Sequence, residues 1–266
     1  MKSHGAGHNI FNPSKSSTFK RDRGYTWKIS YGDRSSASGD VGKDTVIIGG
    51  LTIKNQDIEL AKHMSPQFVE GTGDGLLGLA FGAINTVHPR RVQTPVENMI
   101  TQEDIPPEAE LFTAYLGSWR DGSGNVQSES FYTFGYIDQP TVEASGEDIS
   151  YAPVDNSQGF WSVKSESASV NGTPIDQSGN SAIMDTGTTL ALVADATCKA
   201  IYDAIPGATY DQDSQGFVFP DNLTADQLPD VTFAIGDKQF TVNKEDLGFG
   251  KFLEWRVTAK GNDSIR

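Results

Sequence analysis

Apolar and polar residues alternate along much of this chain, and the alternation predicts a protein built mainly from β-strands. Near the start, Tyr25, Trp27, Ile29 and Tyr31 alternate with polar residues. Successive side chains of a strand point to opposite faces, so one set meets a core while the other set meets solvent. We therefore expect a half-buried strand here.

Two further patterns predict strands joined by turns. The apolar run Val46 to Ile48 ends at the pair Gly49-Gly50, and apolar residues resume at Leu51. Later, residues 231–235 and 239–242 lie on either side of a short polar segment that contains glycine and aspartate. Glycine and aspartate adopt the backbone angles of tight turns, so the second pattern predicts a β-hairpin.

Two short segments predict helices. Pro95 suits the first turn of a helix over residues 96–101, and Asp195 suits the cap of a helix that Pro206-Gly207 ends. Because strand patterns dominate elsewhere, we expect an all-β fold that is mostly antiparallel and carries a few short helices.

The charge balance excludes some classes of partner. The chain has 35 acidic and 21 basic residues, a net charge of -14, and its longest basic runs are Lys20-Arg21 and Arg90-Arg91. Nucleic-acid binding depends on concentrated Lys and Arg, so we expect no nucleic-acid partner. No apolar run approaches the length that spans a bilayer, and we expect no membrane partner.

Metal, dinucleotide and thiol chemistry have little support. The four histidines show no metal-binding spacing, so we expect neither a metal nor a cofactor. Residues 73–78 match Gly-x-Gly-x-x-Gly, but a dinucleotide site requires a helix immediately afterwards, and Gly82 and Pro89 would interrupt any helix there. The single Cys198 excludes an intramolecular disulfide and fits a small buried side chain on a helix.

Residues 181–192 carry the most informative candidate chemistry. Asp185 follows an apolar run, and Thr186-Gly187-Thr188-Thr189 comes directly after it. Taken alone, an aspartate before Thr-Gly is most often a turn or helix-cap residue. The same residues also suit a carboxylate that is displayed at a tight turn and surrounded by hydroxyl donors. The segments elsewhere in the chain decide between these interpretations.

Four other segments occur in the order found in one protease family. They are Phe11 to Phe19, Tyr25 to Asp33 with Ser35 to Gly39, Asp74 to Phe81, and Val154 to Trp161. Together with the Asp185 segment, they resemble the pepsin-like aspartic proteases of the fungal penicillopepsin, aspergillopepsin and endothiapepsin type. The resemblance covers roughly positions 8 to 250. In that family the second segment is the flap hairpin, and the third is a strand that crosses behind an active-site loop.

The resemblance implies a bilobal pepsin-like fold that is truncated at both ends and incomplete in both lobes. Residues 1–145 would be a remnant of the N-terminal lobe, with the flap but without the first catalytic Asp loop. Residues 146–266 would be the C-terminal lobe, with the second catalytic Asp loop but without the terminal strands. We therefore expect both lobes to be poorly stabilised, and the tail from 251 to 266 to lack its native position.

The resemblance also assigns roles to individual residues. Asp185 would be catalytic, and Thr186 would support its loop. Substrate would contact the flap and the loop through these residues: Tyr31, Gly32, Asp33, Ser35, Gly187, Thr188 and Thr189. Arg34 stands where relatives have glycine, and its bulk and charge bear on flap closure and on any preference for basic substrate residues.

The implied activity is that of an aspartic endopeptidase working at acid pH. Two carboxylates share a proton and activate water against a peptide carbonyl, without metal or cofactor. This sequence contains one Asp-Thr-Gly and no Asp-Ser-Gly, so we expect the monomeric chain to be inactive. Three alternatives stay open: a catalytically dead pepsin-like binding or inhibitor-type protein, a non-productive fragment, and a homodimer in which two copies of Asp185 meet.

Partners and location are implied by the same resemblance. Relatives act on peptide or protein substrates outside the cell, which implies a secreted protein, although this chain shows no signal peptide. The tripeptides that begin at Asn171, Asn222 and Asn262 match the N-glycosylation motif. They matter only if the chain enters a secretory pathway.

Overall fold

Strands are the main element of the structure, a computed structural model that describes residues 7–118, 129–212 and 216–248. The strands pair antiparallel and the helices are few and short, which confirms the predicted fold class. Within these ranges, no helix is both long and apolar enough to cross a membrane. Contacts group the chain into two units: the first holds residues up to 147 with 157–159, and the second holds 148–156 and the residues from 160 onward.

The first unit is built around one four-stranded sheet. The strands of the whole unit are β1 Lys20–Ser30, β2 Ser36–Ile48, β3 Leu51–Met64, β4 Val87–His88, β5 Phe112–Tyr115 and β6 Phe131–Phe134. Its helices are α1 Pro66–Glu70, α2 Pro95–Thr101 and α3 Gln139–Ser145. The sheet has the order β3-β2-β1-β4, while β5 and β6 form a separate hairpin.

The alternation in β1 has the predicted effect. Trp27 is buried and packs with Val41 of β2 and Val87 of β4, whereas Thr26 and Lys28 are exposed. The predicted turn at Gly49-Gly50 joins β2 to β3. The strand period therefore places one face of the sheet on an apolar cluster, as expected.

Helix α2 covers a second apolar cluster. Met99 is fully buried and packs with Ile53 of β3 and with Phe134 of β6. The helix begins at Pro95 as predicted, and Thr94 caps it: the Thr94 hydroxyl accepts from the Glu97 N–H at 3.2 Å. The Glu97 carboxylate accepts in return from the Thr94 N–H at 2.9 Å. This reciprocal pair satisfies two N–H groups that the first helical turn leaves free.

Close packing of β2 on β3 requires glycine at one position. The register between these strands shifts between Ser38 and Gly39. A Cβ atom on Gly39 would lie 1.9 Å from the carbonyl oxygen of Leu60, far inside van der Waals contact. Only a residue without a side chain fits there, so the pairing behind the predicted flap depends on this glycine.

One expectation for the first unit was wrong, and one helix was not anticipated. The segment Asp74 to Phe81 is not a strand, and Leu76 is 72% exposed. A strand needs backbone partners, and within the described residues no strand pairs with this glycine-rich segment. Helix α3 was not predicted, although Asp138 caps it by accepting from the Thr141 N–H at 3.1 Å.

The second unit contains three small sheets and one helix. Its strands are β7 Val154–Asp155, β8 Ser162–Lys164, β9 Ser167–Val170, β10 Thr173–Asp176, β11 Ser181–Ile183, β12 Thr209–Asp211, β13 Gly216–Val218, β14 Val231–Ile235 and β15 Lys238–Val242. The helix is α4 Asp195–Asp203. The sheet orders are β10-β9-β14-β15, β11-β8-β7 and β12-β13.

Helix α4 supplies much of the core of this unit. Cys198 is 1% exposed on the helix, as predicted, and it clusters with Val170 of β9 and Val231 of β14. Tyr202 stacks on Phe217 with ring centroids 4.5 Å apart, and burial raises the pKa of Tyr202 to about 12. The buried phenol therefore stays neutral in acid and neutral solution.

Two sequence expectations for the second unit are refined by the structure. The β14–β15 hairpin is confirmed, with Lys238 already in β15, so that the turn is only two residues long. The prediction that Asp195 caps α4 was wrong. The capping position is Ala194, which makes no side-chain cap bond, and Asp195 is the first helical residue. The acidic side chain of Asp195 instead lies in the first turn, where its negative charge interacts favourably with the positive end of the helix dipole.

Carboxyl groups are packed into the face of β3. Asp57 and Glu59 are two residues apart and so point to the same face. The Asp57 side chain is 6% exposed and lies 3.2 Å from the Lys43 ammonium, which also approaches Asp22 at 3.7 Å. Burial raises the pKa of Asp57 against the attraction of Lys43. Burial, aided by the charge of Asp57, also raises the pKa of Glu59, whose carboxylate accepts from Asn85.

We predict that Glu59 makes the first unit more stable in acid. Its folded pKa lies above the ordinary 4.5, so the folded state holds a proton that the unfolded state has released. The contribution of Glu59 to the free energy of unfolding is fully present below pH 4.5 and is lost as the pH rises through the folded pKa. Glu59→Gln should therefore flatten the fall of the urea midpoint as the pH rises above 4.5. The exposed Glu70→Gln serves as the control and should leave the profile unchanged, whereas an unchanged profile in Glu59→Gln would contradict the prediction.

Candidate active-site loops

Asp185 lies on a loop that directly follows β11. Ala182 of β11 pairs with Val163 of β8, and the Met184 N–H donates to the Trp161 carbonyl at 2.9 Å. These bonds hold the chain up to the residue before Asp185, and the strand ends there. Asp185 is therefore displayed on a loop at the end of a sheet, and it is exposed.

The loop supplies its own donors to the Asp185 carboxylate. Oδ1 accepts from the Gly187 N–H at 2.8 Å, and Oδ2 accepts from the Thr188 hydroxyl. A Cβ on Gly187 would lie 3.2 Å from Oδ1, so a larger residue would crowd the carboxylate. Both oxygens are thus fixed by residues two and three positions further along, which is the arrangement of donors predicted from Thr-Gly-Thr.

The second group of predicted residues forms a tight turn between β1 and β2. The Tyr31 N–H donates to Ser35 O at 2.9 Å, and the Arg34 N–H donates to Tyr31 O at 3.0 Å. Asp33 closes the turn by accepting from the Ser35 N–H at 2.9 Å and from its hydroxyl at 2.6 Å. These bonds lower the pKa of Asp33, so the tip carries a negative charge into the acid range.

Tyr31 packs against helix α1 of its own unit. Its ring meets Phe68 of α1 edge-on, with centroids 5.6 Å apart, and the side chain is still 37% exposed. Partial burial raises the pKa of Tyr31, and the charges of Glu59 and Asp33 raise it further. The phenol therefore remains a neutral hydrogen-bonding group, with its exposed part available to a ligand.

The structure brings the candidate residues together in two groups. Tyr31, Gly32, Asp33 and Ser35 share the turn of the first unit, and residues 185–189 share the loop of the second. Phe68 was missed by the sequence reasoning, because a packing partner of this kind has no local motif. That the turn lies above Asp185 across a cleft stays a prediction.

Neither group suits a metal. Within the three described ranges, no group of three or more His, Cys, Asp or Glu side chains is arranged to hold a metal ion. The nearest donors to the Asp185 carboxylate are an N–H and a hydroxyl. What the loop can do chemically is accept or release a proton at an exposed, oriented carboxylate.

Comparisons with known proteins show which family this chain belongs to. The family model for eukaryotic aspartyl protease matches residues 1–254. Aspartic protease pepA of Arthroderma otae is 40% identical over 262 residues, covering 94% of this chain and 61% of that protein. Aspergillopepsin-1 of Aspergillus fumigatus is 40% identical over 261 residues, covering 97% and 61%. The chain thus belongs to the eukaryotic aspartyl protease family.

A solved structure supports the fold. The crystal structure of an aspartic proteinase from Irpex lacteus matches with a TM-score of 0.70 at 25% identity, covering 91% of this chain and 70% of that one. The chain spans about three fifths of the length of the curated relatives that it matches.

Arg34 provides a test of the turn. Its φ of 69° is left-handed, which costs a non-glycine residue about 1–2 kcal/mol, part of which glycine gives back through its more flexible unfolded state. We predict that Arg34→Gly stabilises the protein by about 0.5–1 kcal/mol in urea denaturation. Arg34→Ala keeps the Cβ and removes the charge, so it should show no such gain. Equal stabilisation by both variants would mean that charge, not backbone strain, is relieved.

Proposed function

We propose that this chain supplies the Asp185 carboxylate of a two-carboxylate site and that, with a second carboxylate, it acts as an aspartic endopeptidase. The observation that carries the proposal is the exposed Asp185 carboxylate, held by Gly187 and Thr188 in a chain that belongs to the aspartyl protease family. Its substrates would be peptides or proteins.

The proposed chemistry is general acid–base catalysis with no covalent intermediate. Two close carboxylates cannot both ionise, so one takes a proton from water while the other donates to the substrate carbonyl. Asp185 would hold one of these roles. The donors from Gly187 and Thr188 would hold its two oxygens in a fixed orientation toward the water.

The neighbouring residues would position substrate. Thr186 would brace the loop, and the small Gly187 would let a peptide backbone approach. The Thr188 hydroxyl donates its hydrogen bond to Asp185, so its oxygen could accept a hydrogen bond from a substrate amide. Thr189 would offer a second hydroxyl.

The flap residues would act from the other side of the substrate. Tyr31 would pack over the scissile bond and exclude water. Gly32 would leave room for the substrate backbone, since no atom lies within 4 Å of where its Cβ would be. Asp33 and Ser35, bonded to each other, would keep the tip rigid. We also propose a secreted destination, which rests on the similarity to fungal aspergillopepsins.

The chain alone should not hydrolyse peptides as a monomer at any pH. A single carboxylate fills only one of the two roles at a time, and members of a catalytic unit do not act additively. We expect no statine-inhibitable cleavage in an acid-pH assay of purified monomer, with Asp185→Ala as the background. Inhibitor-sensitive cleavage that Asp185→Ala abolishes would overturn this prediction, and activity that rises with the square of concentration would indicate a homodimer.

A chimera tests the proposed function itself. The segments that flank the matched region in pepA of Arthroderma otae are joined to both ends of this chain, and under the proposed mechanism they would supply the second carboxylate. We expect acid-pH, inhibitor-sensitive hydrolysis, and Asp185→Asn should reduce it by about 10³-fold or more. The exposed Asp226→Asn is the matched control and should retain activity. A chimera that stays equally active with Asp185→Asn would contradict the role of Asp185.

A further inference from the structure

The motif at Asn222 is not used by the proposed active site, and its surroundings point to a modification. Asn222-Leu223-Thr224 matches the acceptor motif for N-linked glycans, in which the middle residue is not proline. Asn222 lies in a turn between β13 and the 3-10 helix Ala225–Gln227. We propose that Asn222 is an N-glycosylation site of this protein.

The side chain of Asn222 is free to carry a bulky group. It is exposed, and within the described ranges its carboxamide makes no hydrogen bond that a glycan would have to break. The backbone of Asn222 has no positive φ, so the turn imposes no left-handed strain on the acceptor. A glycan is large and hydrophilic, and an exposed turn accommodates it without burying polar groups.

The flanking residues fix the turn without using the acceptor. Leu223 is half-buried and packs on the core cluster that includes Leu228. Thr224 donates through its N–H to Gln227 Oε1 at 2.9 Å and through its hydroxyl to the same oxygen at 3.1 Å. The apolar and capping functions of the turn therefore fall on its neighbours, while Asn222 itself points to solvent.

Asn171 offers an instructive contrast within the same unit. It sits in the two-residue turn between β9 and β10 with a φ of 49°. Its Oδ1 accepts from the Asp230 N–H at 2.9 Å, and its own N–H donates to Asp230 O at 2.8 Å. The Asn171 carboxamide thus holds two segments together, whereas that of Asn222 has no such role. The motif at Asn262 falls outside the described residues.

The modification would be a group transfer to the amide nitrogen. Nδ2 of Asn222 forms a bond to the anomeric carbon of an oligosaccharide, whose bond to the phosphate oxygen of a lipid-linked pyrophosphate donor breaks. The lipid pyrophosphate leaves, and the amide loses one proton. The proposal rests on entry into the secretory pathway, so its test provides that entry with a heterologous signal sequence.

The experiment isolates Asn222 from the other two motifs. Thr173→Val and Ser264→Ala remove those motifs while keeping Asn171 and its bonds to Asp230. This double variant is expressed in a secreting yeast, and we expect it to carry one glycan. Treatment with peptide N-glycosidase should then shift the gel mobility of the protein once, in both the secreted and the cell-retained fractions. Because transfer precedes folding, the cell-retained material reports occupancy even where a variant fails to fold.

Matched variants decide the assignment. Asn222→Gln and Thr224→Ala should both abolish the shift, while Thr224→Ser, which preserves the hydroxyl, should keep it. On the secreted protein the glycosidase should act without denaturation, because Asn222 is exposed, and should convert Asn222 to aspartate in a peptide mass spectrum. A background protein without a shift would overturn the proposal, as would a shift that survives Asn222→Gln.

Discussion

The pairing of β2 with both β1 and β3 is the interaction on which the first unit depends. β2 is 13 residues long and β3 is 14, and together they carry the longest ladder in the described part of the chain. The pairing of β2 with β1 brings Val41 and Trp27 into the same core cluster and ends in the turn that carries Tyr31. Gly39 is the point where β2 and β3 approach too closely for any side chain, so the flap-like turn depends on one residue behind it.

The same register also forces ionisable groups into the sheet. Lys43 stands opposite Asp57, and Glu59 follows on the same face of β3. A buried ion pair gains Coulomb energy but loses hydration, so pairing of this kind adds little net stability. Here burial prevails, because the pKa of Asp57 is raised despite the adjacent ammonium. Asp57 and Glu59 therefore contribute more to stability in acid than in neutral solution, whereas Asp40 and Asp44 of β2, whose pKa values are lowered by their hydrogen bonds, contribute in the opposite direction.

Local patterns in the sequence predicted those elements whose causes are local. The start of α2 follows from Pro95 and the Thr94–Glu97 pair, and the buried face of β1 follows from its period of two. Two expectations failed, and one helix was missed. Asp74 to Phe81 lacks a strand partner, and Asp74 instead binds Asn9 at 2.9 Å. Helix α3 was hidden in a polar stretch, and the cap of α4 falls on Ala194, whose side chain cannot make the bond expected of Asp195.

The properties of the candidate site also have either local or non-local causes. The Asp185 carboxylate takes its donors from within three residues, so the motif alone was enough to predict its orientation. Its catalytic role is a different matter, because these two donors to one carboxylate do not supply a second acid. A second carboxylate nearby would split the two titrations and create an acid beside a base. No arrangement within the loop can do this, since hydrogen bonds to a lone carboxylate supply no acid beside it. In the proposed function, the loop would therefore fix where the reaction occurs, while the ability to catalyse it would belong to the pair.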